Sequence, residues 1–338
     1  MPDADCADHC TGHLPVDADI VSRTDCTSTD TTYHIKRMSP SSWNSGGSAA
    51  QRGEGGIDMS TCEVAEPRDP MLRERSAVWF RPLRAIFGRY LRNAPLAHAL
   101  FRSAECRHLA SWNLMRPVLD LGCGIGEFAS HAVGARLDVG ADCLAAPLSR
   151  ARTLGRFRSV VQADAARLPV AAESFASVLA VSVCEHLTDP IASLTEAYRV
   201  LAPGGRFVAT IVLADVHQHL FYPRLLRQLG LGWLAGRYLR LHDLVFRHRV
   251  LESREWWEAA LAEVGFSVVF SRKIIAPRLA GRIDFWLATA WPSRLWRPFG
   301  TLRVWRPKWF ERWCWSMLQR LDMDEEEGAV LFVVAQKR

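Results

Sequence analysis

The sequence lacks any apolar run approaching the ~20 residues that a membrane-spanning helix requires. Its first residues also lack the basic and then apolar order of a secretory signal peptide. Its nine cysteines are an odd number and show no disulfide framework. Four of them, Cys106, Cys123, Cys143 and Cys184, lie in or near apolar segments, which favours reduced thiols. We therefore expect a cytoplasmic protein, and attachment to a membrane surface stays open.

The first 70 residues contain few apolar side chains and are rich in Asp, Ser, Thr and Gly. Such a segment cannot bury enough apolar surface to offset its ordering entropy, so residues 1–70 are predicted to be a disordered tail. Cys6, His9, Cys10 and His13 lie close together there, but no second cluster with zinc-finger spacing follows. We therefore expect no metal site. The tail carries twelve of the 36 acidic and only five of the 42 basic side chains, so the remainder is strongly basic.

From about residue 116, short apolar runs alternate with longer helical stretches. This alternation predicts a Rossmann-like α/β fold, a seven-stranded and mostly parallel sheet with helices on both faces. A ligand of such a sheet lies at the carboxyl ends of the strands, at the switch point. The seven predicted strands are PVLDLG, ARLDVGAD, RSVVQAD, FASVLAVSV, GRFVATIVL, FSVVFSR and AVLFVVAQ.

A glycine-rich turn follows the first predicted strand, in the segment VLDLGCGIGEF. Glu127 stands where a dinucleotide fingerprint requires its third glycine or alanine, and no Lys-Ser/Thr pair follows, which excludes a P-loop. Asp120 precedes the glycines. A carboxylate at such a turn suits a cationic ligand better than a pyrophosphate.

Five motifs in order resemble the class I S-adenosylmethionine-dependent methyltransferases, specifically the methyltransferase type 11 group. They are VLDLGCGIGEF, GADCL, VVQADAARLPV, SFASVLAVSVCEHLTDP and AYRVLAPGGRFVAT, and the resemblance covers about residues 117–265 and the last strand. One departure is Ala176, where relatives usually have Asp. That position is associated with strand geometry more than with methyl transfer.

The resemblance implies S-adenosylmethionine as the cofactor. It places Asp142 on the ribose hydroxyls and Asp164, with Ala165, beside the adenine. A helix cap is the structural alternative for Asp142, a turn for Asp164, and orientation of the glycine loop for Asp120. The expected cofactor residues are Asp120, Gly122, Cys123, Gly124, Gly126, Asp142, Cys143, Asp164, Ala165 and Ser182.

Methyl transfer mainly requires near-attack geometry, and a general base is needed only when the acceptor must lose a proton. The candidate bases are His186, His217 and His219. The candidate acceptor contacts are Glu185, Asp215, Tyr222 and His242, and of the residues after the fifth predicted strand His242 and His248 are the weaker candidates. A packed histidine or a solvated loop explains several of these residues equally well, so the sequence does not select a base.

Three additions surround the predicted core. Residues 71–115 have the spacing of a helical cap, with arginines that also suit a basic membrane anchor. Within the methyltransferase domain, 116–338, insertions are expected at about 213–250, as an acceptor lid, and at 276–326. The second insertion contains six tryptophans in residues 291–315 and a predicted helix from Pro307 to about Leu321. Trp315 is predicted to lie off the apolar face of that helix.

The leading hypothesis is methyl transfer to a small acceptor that is hydrophobic or linked to a lipid. The basic, tryptophan-rich additions suit a peripheral contact with a membrane interface. Nucleic acid is disfavoured, because the sequence has no RNA-binding module or lysine-rich patch. The alternatives are a glycan or sugar-linked acceptor, and a catalytically silent scaffold that docks to a membrane or a partner.

Overall fold

The centre of the molecule is a seven-stranded sheet. The computed structural model describes residues 77–287, 308–321 and 327–338. A short antiparallel ribbon of β1 (Ala77–Val78) and β2 (Leu114–Met115) precedes the sheet. The sheet consists of β3 (Val118–Leu121), β4 (Leu137–Asp142), β5 (Phe157–Gln162), β6 (Phe175–Val181), β7 (Leu201–Val212), β8 (Phe266–Ile274) and β9 (Val330–Lys337). All seven predicted strands are therefore confirmed.

The strand order in the sheet is β5-β4-β3-β6-β7-β9-β8. The strands from β3 to β7 run parallel, and β9 runs antiparallel to both of its neighbours. The chain moves outward from β3 to β5 and then restarts on the other side of β3 with β6. The carboxyl ends of β3 and β6 therefore flank the switch point, where ligands of open α/β sheets bind.

The described helices cover the sheet on both faces. Two of them have side-chain caps: Asp189 accepts from Ala192 N and Ser253 accepts from Trp256 N, which satisfies amide groups of the first turn. The helices are α1 (Leu83–Asn93), α2 (Leu96–Leu109), α3 (Glu127–His131), α4 (Ala145–Thr153), α5 (Pro190–Val200), α6 (Val216–His219), α7 (Phe221–Gln228), α8 (Gly232–Phe246), α9 (Arg254–Val264), α10 (Pro277–Leu287) and α11 (Lys308–Leu321).

Two apolar layers hold these helices to the sheet. On one face, Leu194 of α5 and the fully buried Trp257 of α9 pack among strand residues. On the other face, α1 buries Ile86 and Phe87, and α2, α10 and α11 contribute to the same layer. Strands covered on both faces are almost continuously apolar, and the buried pattern of β9 shows this. The core therefore fixes the strand ends that carry the site.

The predicted helix in the second insertion is present as α11, but its orientation differs from the prediction. Trp315 is half-buried, and its ring centroid lies 5.8 Å from that of Phe87. Trp309 and Trp313 are exposed instead. The prediction for Trp315 was wrong because the helix meets the core through Cys314 and Leu318, which rotates Trp315 toward α1. The tryptophans at 291–305 and the tail at 1–70 lie outside the described residues.

No helix within the described ranges combines the length and apolar character needed to cross a membrane.

Candidate active site

The turn after β3 contains three glycines with positive φ: 70° at Gly122, 53° at Gly124 and 76° at Gly126. Residues with a Cβ rarely adopt this conformation. A Cβ on Gly122 would lie 2.5 Å from Val183 Cγ2, so Gly122 allows the turn to pack closely on the exit of β6. A Cβ on Gly124 would meet no atom within 4 Å. The turn is thus closely packed at Gly122 and open at Gly124.

The ends of β4 and β5 carry two acidic residues. Asp142 Oδ2 accepts from Gly124 N at 2.9 Å, and Oδ1 accepts from Leu144 N at 2.9 Å. Each carboxylate oxygen can accept a second hydrogen bond, so both remain able to receive a hydroxyl. Asp164 is exposed, and its Oδ1 accepts from Ala166 N at 2.9 Å, which is the predicted alternative of a turn residue.

Three other predicted cofactor residues lie beside these two acids. The Cys123 thiol is buried, and burial raises its pKa well above the ordinary value, so the group stays neutral. Cys143 is exposed, and its carbonyl accepts from Gln162 Nε2 at 3.1 Å. Ala165 is half-buried and packs on the core. These residues surround the same strand edge without adding a charge to it.

Two buried carboxyl groups lie at the ends of β3 and β6. Asp120 Oδ2 and both side-chain oxygens of Glu185 lack a hydrogen-bond partner among the described residues. Burial raises the pKa of Asp120 to about 7, although Arg102 opposes the rise. Burial also raises the pKa of Glu185 to about 8, opposed by the charge of Arg102. A buried carboxylate without a partner is unfavourable, and a nearby positive charge would offset that cost. Asp120 and Glu185 are therefore complementary to a cationic ligand.

Helix α2 contributes an ion pair to this edge of the sheet. Glu105 is fully buried, and its Oε2 accepts from Arg102 Nη1 at 2.9 Å. Its Oε1 accepts from Ser182 Oγ and Thr210 Oγ1, each at 2.6 Å. Ser182 directly follows β6 and has a φ of 52°. Glu105 therefore fixes the predicted cofactor residue Ser182 in a backbone conformation that is rare for residues other than glycine.

Four residues of the predicted lid form what we call the histidine cluster: His217, His242, Asp243 and His248. Asp243 Oδ1 lies 2.8 Å from His217 Nε2, 3.2 Å from His248 Nδ1 and 3.5 Å from His242 Nδ1. Burial lowers the pKa of His242 to about 4, so this imidazole is neutral at neutral pH. Burial alone would raise the pKa of Asp243, but hydrogen bonds from His217 and His248 outweigh it and lower the pKa.

The histidine cluster contacts the loop that leaves β6. The His186 and His248 rings stack with centroids 5.8 Å apart and an interplanar angle of 13°. The backbone carbonyl of Glu185 accepts from the amides of Arg249 and Val250 at 2.8 and 3.1 Å. The structure therefore brings together five of the predicted residues: Glu185, His186, His217, His242 and His248.

The other predicted residues after β7 lie apart from this group. Asp215 Oδ2 forms an ion pair with Lys273 Nζ at 2.6 Å. The Tyr222 hydroxyl donates to Phe285 O at 3.2 Å, so its side chain is directed toward α10. Burial lowers the pKa of the His219 imidazole, although the charge of Asp215 opposes this shift. Their catalytic and acceptor roles stay predictions.

Sequence reasoning missed Glu105, Arg102 and Asp243. Asp243 lies within a helix whose other residues are mostly apolar or basic, and an isolated acid of that kind was a usable signal. Arg102 and Glu105 are three residues apart in a largely apolar helix, which is the spacing of a helical ion pair. Neither signal predicts which strand ends these side chains contact in the folded protein.

The edge of the sheet fits a cofactor that carries a sulfonium and an ammonium group. The open side of Gly124 leaves room beside the turn, and Asp120 and Glu185 offer unpaired buried carboxyl oxygens. The acids at the ends of β4 and β5 have lone pairs that could accept from ribose hydroxyls and an adenine amino group. The donor set and the space are thus both compatible with S-adenosylmethionine.

Comparisons with known proteins agree with this geometry. A family model described as a methyltransferase domain, of the type 11 group, matches residues 119–209. A demethylmenaquinone methyltransferase from Thermus thermophilus is 31% identical over 165 residues, which cover 45% of this chain and 74% of that protein. A ubiquinone biosynthesis O-methyltransferase from Dinoroseobacter shibae is 41% identical over 95 residues, which cover 26% of this chain and only 38% of that protein.

A solved structure from Thermotoga maritima, an S-adenosylmethionine-dependent methyltransferase described as a possible histamine N-methyltransferase, is 19% identical with a TM-score of 0.47. The match covers 76% of this chain and 100% of that one. The family model spans the glycine turn and the strands that carry the acids. The chain belongs to the class I S-adenosylmethionine-dependent methyltransferases of the type 11 group, and S-adenosylmethionine is its cofactor.

Proposed function

We propose that this enzyme methylates a hydrophobic acceptor that reaches the site from an anionic membrane surface. The cofactor supplies an electrophilic methyl group when it is bound. In this proposal the glycine turn and Asp142 position the cofactor's nucleoside, and Asp120 and Glu185 face its cationic groups. His186 and the histidine cluster lie on the acceptor side, next to the exit of β6.

The pH dependence of cofactor binding tests the proposed role of the buried acids. A cationic ligand binds the ionised carboxyl groups, whose pKa values lie at about 7 and about 8. Affinity should therefore rise with pH, by roughly tenfold per titrating group between pH 6 and pH 8. Isothermal titration in buffers of different ionisation enthalpy should detect proton release on binding. The cofactor's own amino group also titrates, so Asp120→Asn and Glu185→Gln serve as controls that should flatten the profile.

The same pKa values determine the stability of the protein without its cofactor. Both lie above the ordinary carboxyl values, so the folded state holds more protons than the unfolded state between about pH 4 and pH 8. The free energy of unfolding should therefore fall as pH rises through that interval, and bound cofactor should offset the loss.

The control variants also give the outcome that would contradict the proposal. If the pH profile of cofactor binding is unchanged in both Asp120→Asn and Glu185→Gln, the two carboxyl groups do not face the cationic groups of the cofactor.

The observation that carries the acceptor proposal is the outer face of α8. Trp233 and Leu244 are 67% and 74% exposed, and Arg237, Arg240 and Leu241 continue the same exposed face. Residues 221–250 contain six arginines and a single acid, Asp243. The carboxylate of Asp243 is already hydrogen-bonded to His217 and His248. Exposed tryptophan, leucine and arginine on one helical face suit the interface of an anionic bilayer.

A groove of ≈ 530 Å³ lies between α10 and α7, the helix that packs against α8. Phe221 and Phe285 line it together with Arg224, Arg278 and Arg282. Aromatic rings and guanidinium groups are the side chains that settle at headgroup depth. The groove thus extends the basic, apolar character of α8 toward α10.

The names of two relatives support a hydrophobic acceptor. One is named for demethylmenaquinone and the other for ubiquinone biosynthesis, and both molecules are quinones. The inner face of α8 carries His242 and Asp243, so a molecule leaving a membrane under α8 would meet the histidine cluster first. This arrangement favours a membrane-derived acceptor over a glycan.

A vesicle assay tests the membrane step. The pair Trp233→Ser and Leu244→Ser should weaken co-sedimentation with vesicles of phosphatidylcholine and phosphatidylglycerol by about tenfold or more, because two apolar anchors are lost. The matched control is Leu154→Ser with Val269→Ser, two residues that are 48% and 49% exposed on other elements. Binding of the parent protein should also decrease with added salt. Equal loss in both pairs, or equal binding to vesicles of phosphatidylcholine alone, would contradict the proposal.

A further inference from the structure

We propose that His217, His242 and Asp243 form a binding site for a divalent transition-metal ion, with His248 holding Asp243 in place. One ligand atom from each of the three residues lies within 4.8 Å of the other two. Two imidazoles and one carboxylate are a ligand set that first-row transition metals bind, and such sites leave further coordination positions open.

The hydrogen bonds within the histidine cluster leave one nitrogen without a partner. Three ring nitrogens approach Asp243 Oδ1, but a carboxylate oxygen accepts about two hydrogen bonds. His217 and His248 lie within hydrogen-bond distance, whereas His242 Nδ1 is a buried nitrogen with no hydrogen-bond partner among the described residues. The His242 side chain is only 8% exposed, so solvent does not readily satisfy this nitrogen. A metal ion between the three groups would satisfy it.

Packing holds the imidazole rings before any ion binds. The His242 ring packs against the rings of Phe246 and His248, with centroids 4.7 and 5.6 Å away. His248 is 6% exposed and stacks on His186. The ligands are therefore preorganised, and the fixed positions lower the entropy cost of binding an ion.

The position of the site indicates its use, and this step rests on the proposed function. The histidine cluster stacks on His186 at the exit of β6, beside the expected methyl-transfer position. A metal ion with open positions there would bind an oxygen atom of the acceptor and hold it toward the cofactor. The acceptor class that this chemistry selects is one with a phenolic, enolic or carboxylate oxygen.

Cobalt titration tests the site without substrate or membrane. The titration uses a variant of the whole chain without an affinity tag. It carries Cys6→Ser, His9→Ala, Cys10→Ser and His13→Ala, so that these four tail residues cannot bind the metal ion. Stripped with chelator and titrated with Co²⁺, it should bind one ion per chain, develop visible d–d absorption and gain thermal stability. Added Zn²⁺ should displace the bound Co²⁺ and remove the visible absorption. Absence of stoichiometric binding would overturn the proposal.

Three variants locate the ion. Asp243→Asn keeps an acceptor oxygen for the histidines but removes the charge, and it should weaken Co²⁺ binding by about 10- to 100-fold. His242→Ala should do the same. His219→Ala, on the same helix as His217 but outside the histidine cluster, should leave Co²⁺ binding unchanged. Equal binding by all three variants would overturn the assignment.

The outcomes separate this proposal from the proposed function. Co²⁺ binding that is lost in Asp243→Asn supports the metal site even when vesicle binding fails. Vesicle binding by the parent together with no stoichiometric Co²⁺ binding overturns the metal site and leaves the membrane route standing.

Discussion

Gly124→Arg should abolish cofactor binding while the protein stays folded. The Cβ of this residue would point into open space beside the turn, so the substitution meets no core atom. The arginine side chain would fill the space in which the cofactor is expected, and its charge would repel a cationic ligand. The affinity should fall by at least ~100-fold, since the ligand loses its volume and several contacts. Isothermal titration with S-adenosylmethionine measures the loss.

The matched control is Gly155→Arg. Gly155 also has a positive φ, 59°, and a Cβ there would meet no atom within 4 Å. It lies in the turn between α4 and β5, at the amino end of β5 and away from the expected cofactor. Both substitutions impose the same kind of backbone strain, so both should lower the melting temperature to a similar extent. If Gly124→Arg binds the cofactor normally, or if Gly155→Arg loses as much cofactor affinity, the turn is not part of the cofactor site.

Glu105→Leu should destabilise the protein by about 3–5 kcal/mol, because removal of one partner of a buried ion pair leaves the other uncompensated. The substitution leaves Arg102 without its carboxylate and removes the acceptor of Ser182 and Thr210. Ser182 is then free to leave its positive-φ conformation, so cofactor affinity should fall as well. Urea denaturation and isothermal titration measure the two losses.

A double-mutant cycle tests whether the ion pair is responsible. Glu105→Gln keeps the acceptor oxygen and should be milder than Glu105→Leu. Arg102→Met combined with Glu105→Leu should recover part of the stability, because no unpaired charge remains. Strictly additive losses would show that Arg102 and Glu105 act independently.

The strands and the glycine turn were predictable from the sequence because their determinants are local. Apolar runs and glycine positions are properties of a few consecutive residues, and β3 with its turn follows the motif directly. The acids at the ends of β4 and β5 were predictable for the same reason, since parallel strands end at one edge of the sheet.

The rest depends on contacts between distant segments. His217 and Asp243 are 26 residues apart on different helices, and only the packing of α8 against the loop after β7 brings them together. Glu105 meets Thr210 across 105 residues. The orientation of α11 was predicted wrongly because its widest apolar face does not coincide with the flank that meets α1. Periodicity identifies an amphipathic helix, but it does not identify the side that its neighbour covers.

The two faces of α8 determine how far an acceptor would have to travel. Trp233 and Leu244 point outward on one side, and His242 lies on the other. A helix with its side chains is about 10–12 Å across. With α8 lying flat on a bilayer, an acceptor head group would need to rise by little more than this width, while the remainder of the molecule stayed in the lipid.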